Sequence, residues 1–320
     1  MRAFSLREGF AMKFIQIRSE IGAGKIGTTA GVDWLWTRYQ QEYGETPSHC
    51  FSLQTVSDYK FAEAKYIDTL CQFFRRQVVP PLSEIIAQAA LPIVISGDHS
   101  NTIATLSALC RANPDKRIGV VWIDAHCDLH TPFTTPSGNL HGMSLAAVTR
   151  QDNLAAQSRQ PSEMVQGLWQ QLKKLAPESC GIQLSDLCFL GLRSYEAAEK
   201  ALLSEHSIPH FSVEEIRQIG LDNVLNMVAQ QFEAVDLLYV TFDVDALDAE
   251  LIPCTGTPEP NGFREQEVAQ ILQAVLGSPK LAMFEITELN PALSVNSQDY
   301  ERVYRLFKFA VQCCKRSVGQ

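Results

Sequence analysis

The stretch Ile118-Gly119-Val120-Val121-Trp122-Ile123-Asp124-Ala125-His126-Cys127-Asp128 decides how the rest of the chain is read. An unbroken apolar run ends in an Asp-x-His-x-Asp cluster. Short, continuously apolar runs are the signature of strands buried on both faces, as in parallel sheets. In extended backbone, side chains alternate with period 2, so Asp124, His126 and Asp128 are expected on one face, with Cys127 turned away into the core. Open α/β sheets bind their ligands at such strand ends. The pattern recurs where the run Leu237-Leu238-Tyr239-Val240-Thr241-Phe242 meets Asp243-Val244-Asp245. Two acidic strand ends point to one shared polar site, and their mutual repulsion calls for cations.

Working outward, strands are expected at 14–17, 92–95, 118–123, 187–190, 208–211, 237–242 and 281–286. Helical periodicity lies between them, at 62–76, 83–90, 102–111, 162–175, 195–204, 213–219, 221–232, 265–276 and 298–313. This alternation predicts an α/β fold with a mostly parallel sheet covered on both faces. No repeat, low-complexity tract or linker interrupts it, so the chain reads as a single domain, 1–320, with 1–11 a loose N-terminal extension.

Net charge is −9, which gives nucleic acid no electrostatic hold. No 18-residue apolar run is present, so no membrane partner is expected. Nine cysteines without a C-x-x-C pair read as reduced thiols of a cytoplasmic protein.

Further chemistry follows other strand ends. Ser96-Gly97-Asp98-His99-Ser100 opens a helix, Thr131 begins a polar loop running to His141-Gly142, and Glu288-Leu289-Asn290-Pro291 ends the last strand. The candidate metal ligands are His99, Asp124, His126, Asp128, Asp243 and Asp245. Taken singly, each has a bland reading, since Asp commonly caps helices and forms turns. Jointly they place four carboxylates in one pocket, where they cannot all stay ionised unaided. Two divalent cations would bring the charge sum near zero. Oxygen-rich ligation with imidazole and no thiolate favours Mn²⁺, with Fe²⁺, Co²⁺ and Zn²⁺ as alternatives. A water shared between two such cations is a hydrolytic nucleophile. Glu288 is then left to meet a cationic substrate, and His141 to shuttle protons. One motif is set aside: Gly22-Ala23-Gly24-Lys25-Ile26-Gly27 matches G-x-G-x-x-G, but Thr28-Thr29-Ala30-Gly31 is a poor start for the long helix of a dinucleotide site.

Together these motifs, with Ser137-Gly138-Asn139-Leu140-His141-Gly142 and Asp243-Val244-Asp245-Ala246-Leu247-Asp248, resemble the ureohydrolases: arginase, agmatinase, formimidoylglutamase and their relatives. The resemblance runs from Gly22 to Pro291. It implies a three-layer α/β/α fold of the arginase and deacetylase type, and two Mn²⁺ per subunit. His99, Asp124, Asp128 and Asp243 would hold one, and Asp124, His126, Asp243 and Asp245 the other. It also implies a small cationic guanidino substrate, with Glu288 anchoring the guanidinium, Thr257 lining its pocket and His141 serving the leaving amine. Asp128 would also accept a hydrogen bond from the attacking oxygen.

The loop from Thr131 to Gly142 is most similar to arginase, where Thr135, Ser137 and Asn139 would bind a substrate carboxylate. By the same resemblance Glu196, with Glu199 also available, would meet an α-amino group. Departures from arginase include His130 in place of asparagine, Ser194 in place of an acid, and Thr257-Pro258-Glu259-Pro260, which is closer to agmatinases. The leading expectation is therefore hydrolysis of L-arginine to L-ornithine and urea. Agmatine, another guanidino acid and formimino-glutamate are the alternatives, and a non-catalytic homologue the reading from another class. Trimers or hexamers of identical subunits are the assembly the resemblance implies.

Overall fold

The computed structural model describes residues 11–54, 58–180 and 182–319. Its strands are β1 (Ala11–Arg18), β2 (His49–Ser52), β3 (Ala90–Ser96), β4 (Ile118–Ile123), β5 (Leu187–Leu190), β6 (His210–Phe211), β7 (Leu237–Asp243) and β8 (Leu281–Thr287). Its helices are α1 (Thr28–Tyr43), α2 (Ile67–Phe73), α3 (Val79–Ala87), α4 (Thr102–Ala112), α5 (Ser144–Val148), α6 (Glu163–Lys173), α7 (Ala197–Glu205), α8 (Val213–Ile219), α9 (Leu221–Gln231), α10 (Glu265–Leu276) and α11 (Ser297–Ser317). The strands form one sheet in the order β2-β1-β3-β8-β7-β4-β5-β6, and every pairing is parallel.

Helices cover both faces, giving three layers. One core packs Trp122, Phe189 and Tyr239 against α2, α3, α4 and α6. The other packs Phe14, Val121, Phe242 and Phe284 against α1, α10 and α11. β3, β4, β7 and β8 are buried along their whole length, which is why their sequences run apolar without alternation. No described helix is long and apolar enough to cross a membrane.

Register places the site. Ile95 pairs with Ile286, Ile286 with Phe242, and Phe242 with Ile123. These residues form one row across four adjacent strands, so the segments that follow them leave the sheet at a single rim.

Several expectations need correction. The extension expected at 1–11 lies outside the described residues up to residue 10, and Ala11 already belongs to β1. The edge strand β2 was not expected, having only Phe51 buried. The helices expected at 62–76 and 83–90 are instead α2, a wide π-helical turn over Phe74–Val78, and α3, joined without a break. Pro80 and Pro81 fall in the first turn of α3, directly after the π-helical turn, and neither has an N–H to continue an α-helical ladder across that junction.

The glycine-rich loop is followed by a long helix after all. α1 buries Thr28, Gly31, Val32, Leu35, Trp36 and Tyr39, at helical spacing. Gly31 looked like a helix breaker because its reason is tertiary: a Cβ there would lie 1.9 Å from the carbonyl oxygen of Leu289. The helix thus rests directly on the backbone that follows Glu288. Gly31→Ala is expected to lower stability by about 1–3 kcal/mol through overpacking, read by urea unfolding. An unchanged midpoint would show that α1 is free to shift away from that segment.

Candidate metal centre

β3, β4 and β7 deliver the candidate ligands, and β8 delivers Glu288. The backbone after β4 leaves extended geometry at once, and Asp128 sits at φ 51°. The simple period-2 expectation therefore names the right face for Asp124, His126 and Asp128 but the wrong backbone. Glu288, one residue past β8, is also left-handed, at φ 67°. Such strain persists only where surroundings hold it, and it gathers at functional sites. Here Leu145 N–H donates to Asp128 O (3.0 Å) and Glu288 N–H to Gly97 O (2.9 Å).

The six expected ligands meet in two adjoining groups. In the first, His99 Nδ1 lies 3.0 Å from Asp124 Oδ2, 3.3 Å from Asp128 Oδ2 and 3.2 Å from Asp243 Oδ2. In the second, His126 Nδ1 lies 3.0 Å from Asp245 Oδ2 and 3.5 Å from Asp124 Oδ1. Asp124 thus turns one oxygen to each group. The oxygens facing away are tied to backbone: Asp243 Oδ1 accepts from Asp245 N–H (2.8 Å) and Asp245 Oδ1 from Ala125 N–H (3.2 Å).

His99 is fixed in orientation as well as place. Its ring stacks on Trp122, centroids 4.0 Å apart, and its Nε2 lies 2.9 Å from Thr241 Oγ1. With Nε2–H donating to Thr241, Nδ1 presents a bare lone pair to the carboxylates, as a metal ligand does. Buried His99 Nδ1 and Asp124 Oδ2 make no hydrogen bond among the described residues. Unpartnered donor atoms converging on one point fit a divalent cation, and each group has the oxygen and nitrogen donors such an ion takes.

The electrostatics agree. Burial, then the charge of Asp124, pushes the Asp128 carboxyl up to about 8. Burial and the neighbouring carboxylates also raise Asp243 and Asp245. Burial works against Asp124 too, but the adjoining His126 and His99 hold it well below the usual range. Burial opposes charge on both imidazoles, yet the facing carboxylates raise His99 and His126 well above theirs. Without cations the cage must keep protons.

Around it lies a cleft of about 290 Å³. A larger one, about 820 Å³, lies elsewhere beside Arg217, Arg264 and Arg305 and contains none of these ligands. His141 lines the smaller cleft, and its Nδ1 is 3.1 Å from Glu288 Oε1. Burial lowers the His141 pKa, but the Glu288 contact outweighs it and raises it to about 9. Glu288 Oε1 also accepts from His99 N–H (2.9 Å), while its buried Oε2 has no partner among the described residues. Thr257 donates its hydroxyl to Asp245 Oδ2 (3.0 Å).

Thr135, Ser137 and Asn139 share the cleft with His130, Glu196 and Glu199. Glu199 is spent on structure, accepting from Leu129 and Glu196 N–H to cap α7. Asp98 does cap the turn at His99–Asn101, and also accepts from Gly22 N–H (2.8 Å). The glycine loop is thereby clamped to the site, and Gly22 O accepts from His141 N–H (3.1 Å).

Thr241, Trp122, Lys65 and Glu259 were missed from sequence. Thr241 had a signal, standing two residues before Asp243 on the same strand face. Lys65, whose Nζ donates to Asn139 Oδ1 (2.9 Å), had none, being distant in the chain.

The chain is similar to known proteins over most of its fold. An arginase of Entamoeba histolytica is 33% identical over 205 residues, 63% of this chain and 63% of that protein. An arginase of Emericella nidulans is 34% identical over 204 residues, 63% of this chain and 59% of that protein. The chain thus matches under two thirds of the length of these relatives. The crystal structure of Helicobacter pylori arginase superposes with a TM-score of 0.80 at 28% identity, covering 95% of this chain and all of that one. A family model described as the arginase family matches residues 15–306, and the chain belongs to that family.

Proposed function

We propose that this protein is a binuclear manganese hydrolase that cleaves a guanidino C–N bond, with L-arginine converted to L-ornithine and urea. The observation that carries the proposal is the pairing of the two ligand groups with the unpartnered Glu288 Oε2 beside them. His99, Asp124, Asp128 and Asp243 would hold one ion, and Asp124, His126, Asp243 and Asp245 the other. When bound, such a pair supplies a strong nucleophile from water at neutral pH.

The chain's own groups do the rest. Glu288 Oε2, buried and free, accepts from a guanidinium N–H and sets the guanidino carbon against the cage. Asp128 accepts the proton that the attacking oxygen carries. His141, kept protonated by Glu288, gives a proton to the departing amine from its Nε2. Thr257 closes the guanidino end while holding Asp245. Its free thiols suit the reducing cytoplasm, which we take as its location.

Protons and cations compete for the cage, and the sign is fixed. Asp128, Asp243 and Asp245 have raised folded pKa values, so the native state keeps protons that the unfolded chain releases near pH 4. The metal-free fold therefore loses stability as pH rises from about 4 to about 8. Raised His99 and His126 act in the same direction above about pH 6.5. Asp124 runs oppositely but has finished titrating below that window. Added Mn²⁺ should thus raise Tm more at pH 8.5 than at pH 6. A gain that does not grow with pH would contradict the cage.

Asp128→Ala should bind one fewer Mn²⁺ per chain by elemental analysis and lose nearly all turnover; full metal content with full rate would refute the ligand assignment. A urea assay on Mn²⁺-loaded protein tests the function itself. L-Arginine is expected to be hydrolysed faster than agmatine, and the reverse order would overturn the choice of substrate.

A further inference from the structure

The side walls of the cleft offer a substrate different things. On one wall, Gly138 N–H donates to Thr135 Oγ1 (2.9 Å), Asn139 N–H to Ser137 Oγ (3.2 Å) and Lys65 Nζ to Asn139 Oδ1 (2.9 Å). Lysine can only donate, so the amide of Asn139 is held with Oδ1 toward Lys65 and its NH₂ the other way. Each residue has an acceptor occupied and protons to give. This wall suits a carboxylate.

The same lining also carries acids, and each has a partner. Both oxygens of Glu199 are on backbone N–H groups. Glu259 Oε1 accepts the Ser194 hydroxyl (2.9 Å). Glu196 Oε2 lies 2.8 Å from His130 Nε2. His130 Nδ1 is 3.1 Å from Thr134 Oγ1, which already accepts from Thr131 N–H (3.0 Å). The Thr134 hydroxyl proton is thus available to Nδ1, leaving the imidazole proton on Nε2, directed at Glu196. His130 is itself buried, so this arrangement is held by its surroundings.

We infer that His130 sets specificity by occupying Glu196, the carboxylate placed to meet an ammonium next to the substrate's own carboxylate. The inference rests on the guanidino-hydrolase reading and refines its substrate class. The site selects ω-guanidino carboxylic acids by their carboxylate and is nearly indifferent to an α-amino group.

The test compares L-arginine, agmatine (no carboxylate) and 5-guanidinopentanoate (no amine) on the Mn²⁺-loaded full chain. Urea release and calorimetric binding are both measured. The kcat/KM for 5-guanidinopentanoate should lie within about fivefold of that for L-arginine, with agmatine at least about 100-fold lower, since a missing polar partner in a built site is heavily penalised. A larger loss on removing the amine overturns the inference. His130→Asn, a shorter neutral amide, frees Glu196. It should raise the preference for L-arginine over 5-guanidinopentanoate about tenfold, mainly through KM. An unchanged preference also overturns the inference. If no substrate yields urea, the hydrolase reading fails; the relative calorimetric affinities of the two acids still decide the role of His130.

Discussion

The repulsion among Asp124, Asp128, Asp243 and Asp245 is the constraint on which the molecule turns. These carboxylates are nearly or wholly shielded from water and lie in contact with the same imidazoles. A fold that places them so must neutralise them, by protons or by cations. Much of the surrounding structure fixes where that neutralisation happens. Trp122 and Thr241 orient His99, Thr257 and the Ala125 N–H hold Asp245, and left-handed backbone at Asp128 and Glu288 turns both acids inward.

The rim works because the sheet beneath it is rigid and level. The row from Ile95 through Ile286 and Phe242 to Ile123 lines up the central strands, each buried on both faces. The candidate ligands then arrive from well-packed elements, while the residues proposed to meet substrate come from loops. The glycine loop 22–27 belongs to this support. Asp98 grips Gly22, and Gly22 in turn holds the backbone of His141. Its likeness to a dinucleotide fingerprint comes from a shared need for close backbone approach. A Cβ at Gly22 would fall 2.2 Å from Ser100 Oγ.

The family match and the cleft's details bear on different questions. Membership in the arginase family accounts for the sheet and the ligand groups. In the cleft's outer part, His130 contacts Glu196, Ser194 contacts Glu259, and Lys65 stands behind Asn139. In the proposed reaction those contacts would bear on what is attached to the guanidino group, and the cage on its carbon.

The sequence alone determined the parallel sheet, because strands buried on both faces must be apolar throughout, and it named the candidate ligands, because so many Asp and His residues at two strand ends are jointly hard to account for as caps and turns. Seven of the eight strands among the described residues were legible in this way. It did not determine α1, whose Gly31 makes sense only against Leu289, or β2, an edge strand with one buried residue. Nor did it reveal the left-handed turn at Asp128, the seat of Thr241 under His99, or the engagement of Glu196 by His130. Hydrophobic pattern and donor chemistry are written along the chain. Close approach and hydrogen-bond pairing between distant segments exist only once the chain is folded.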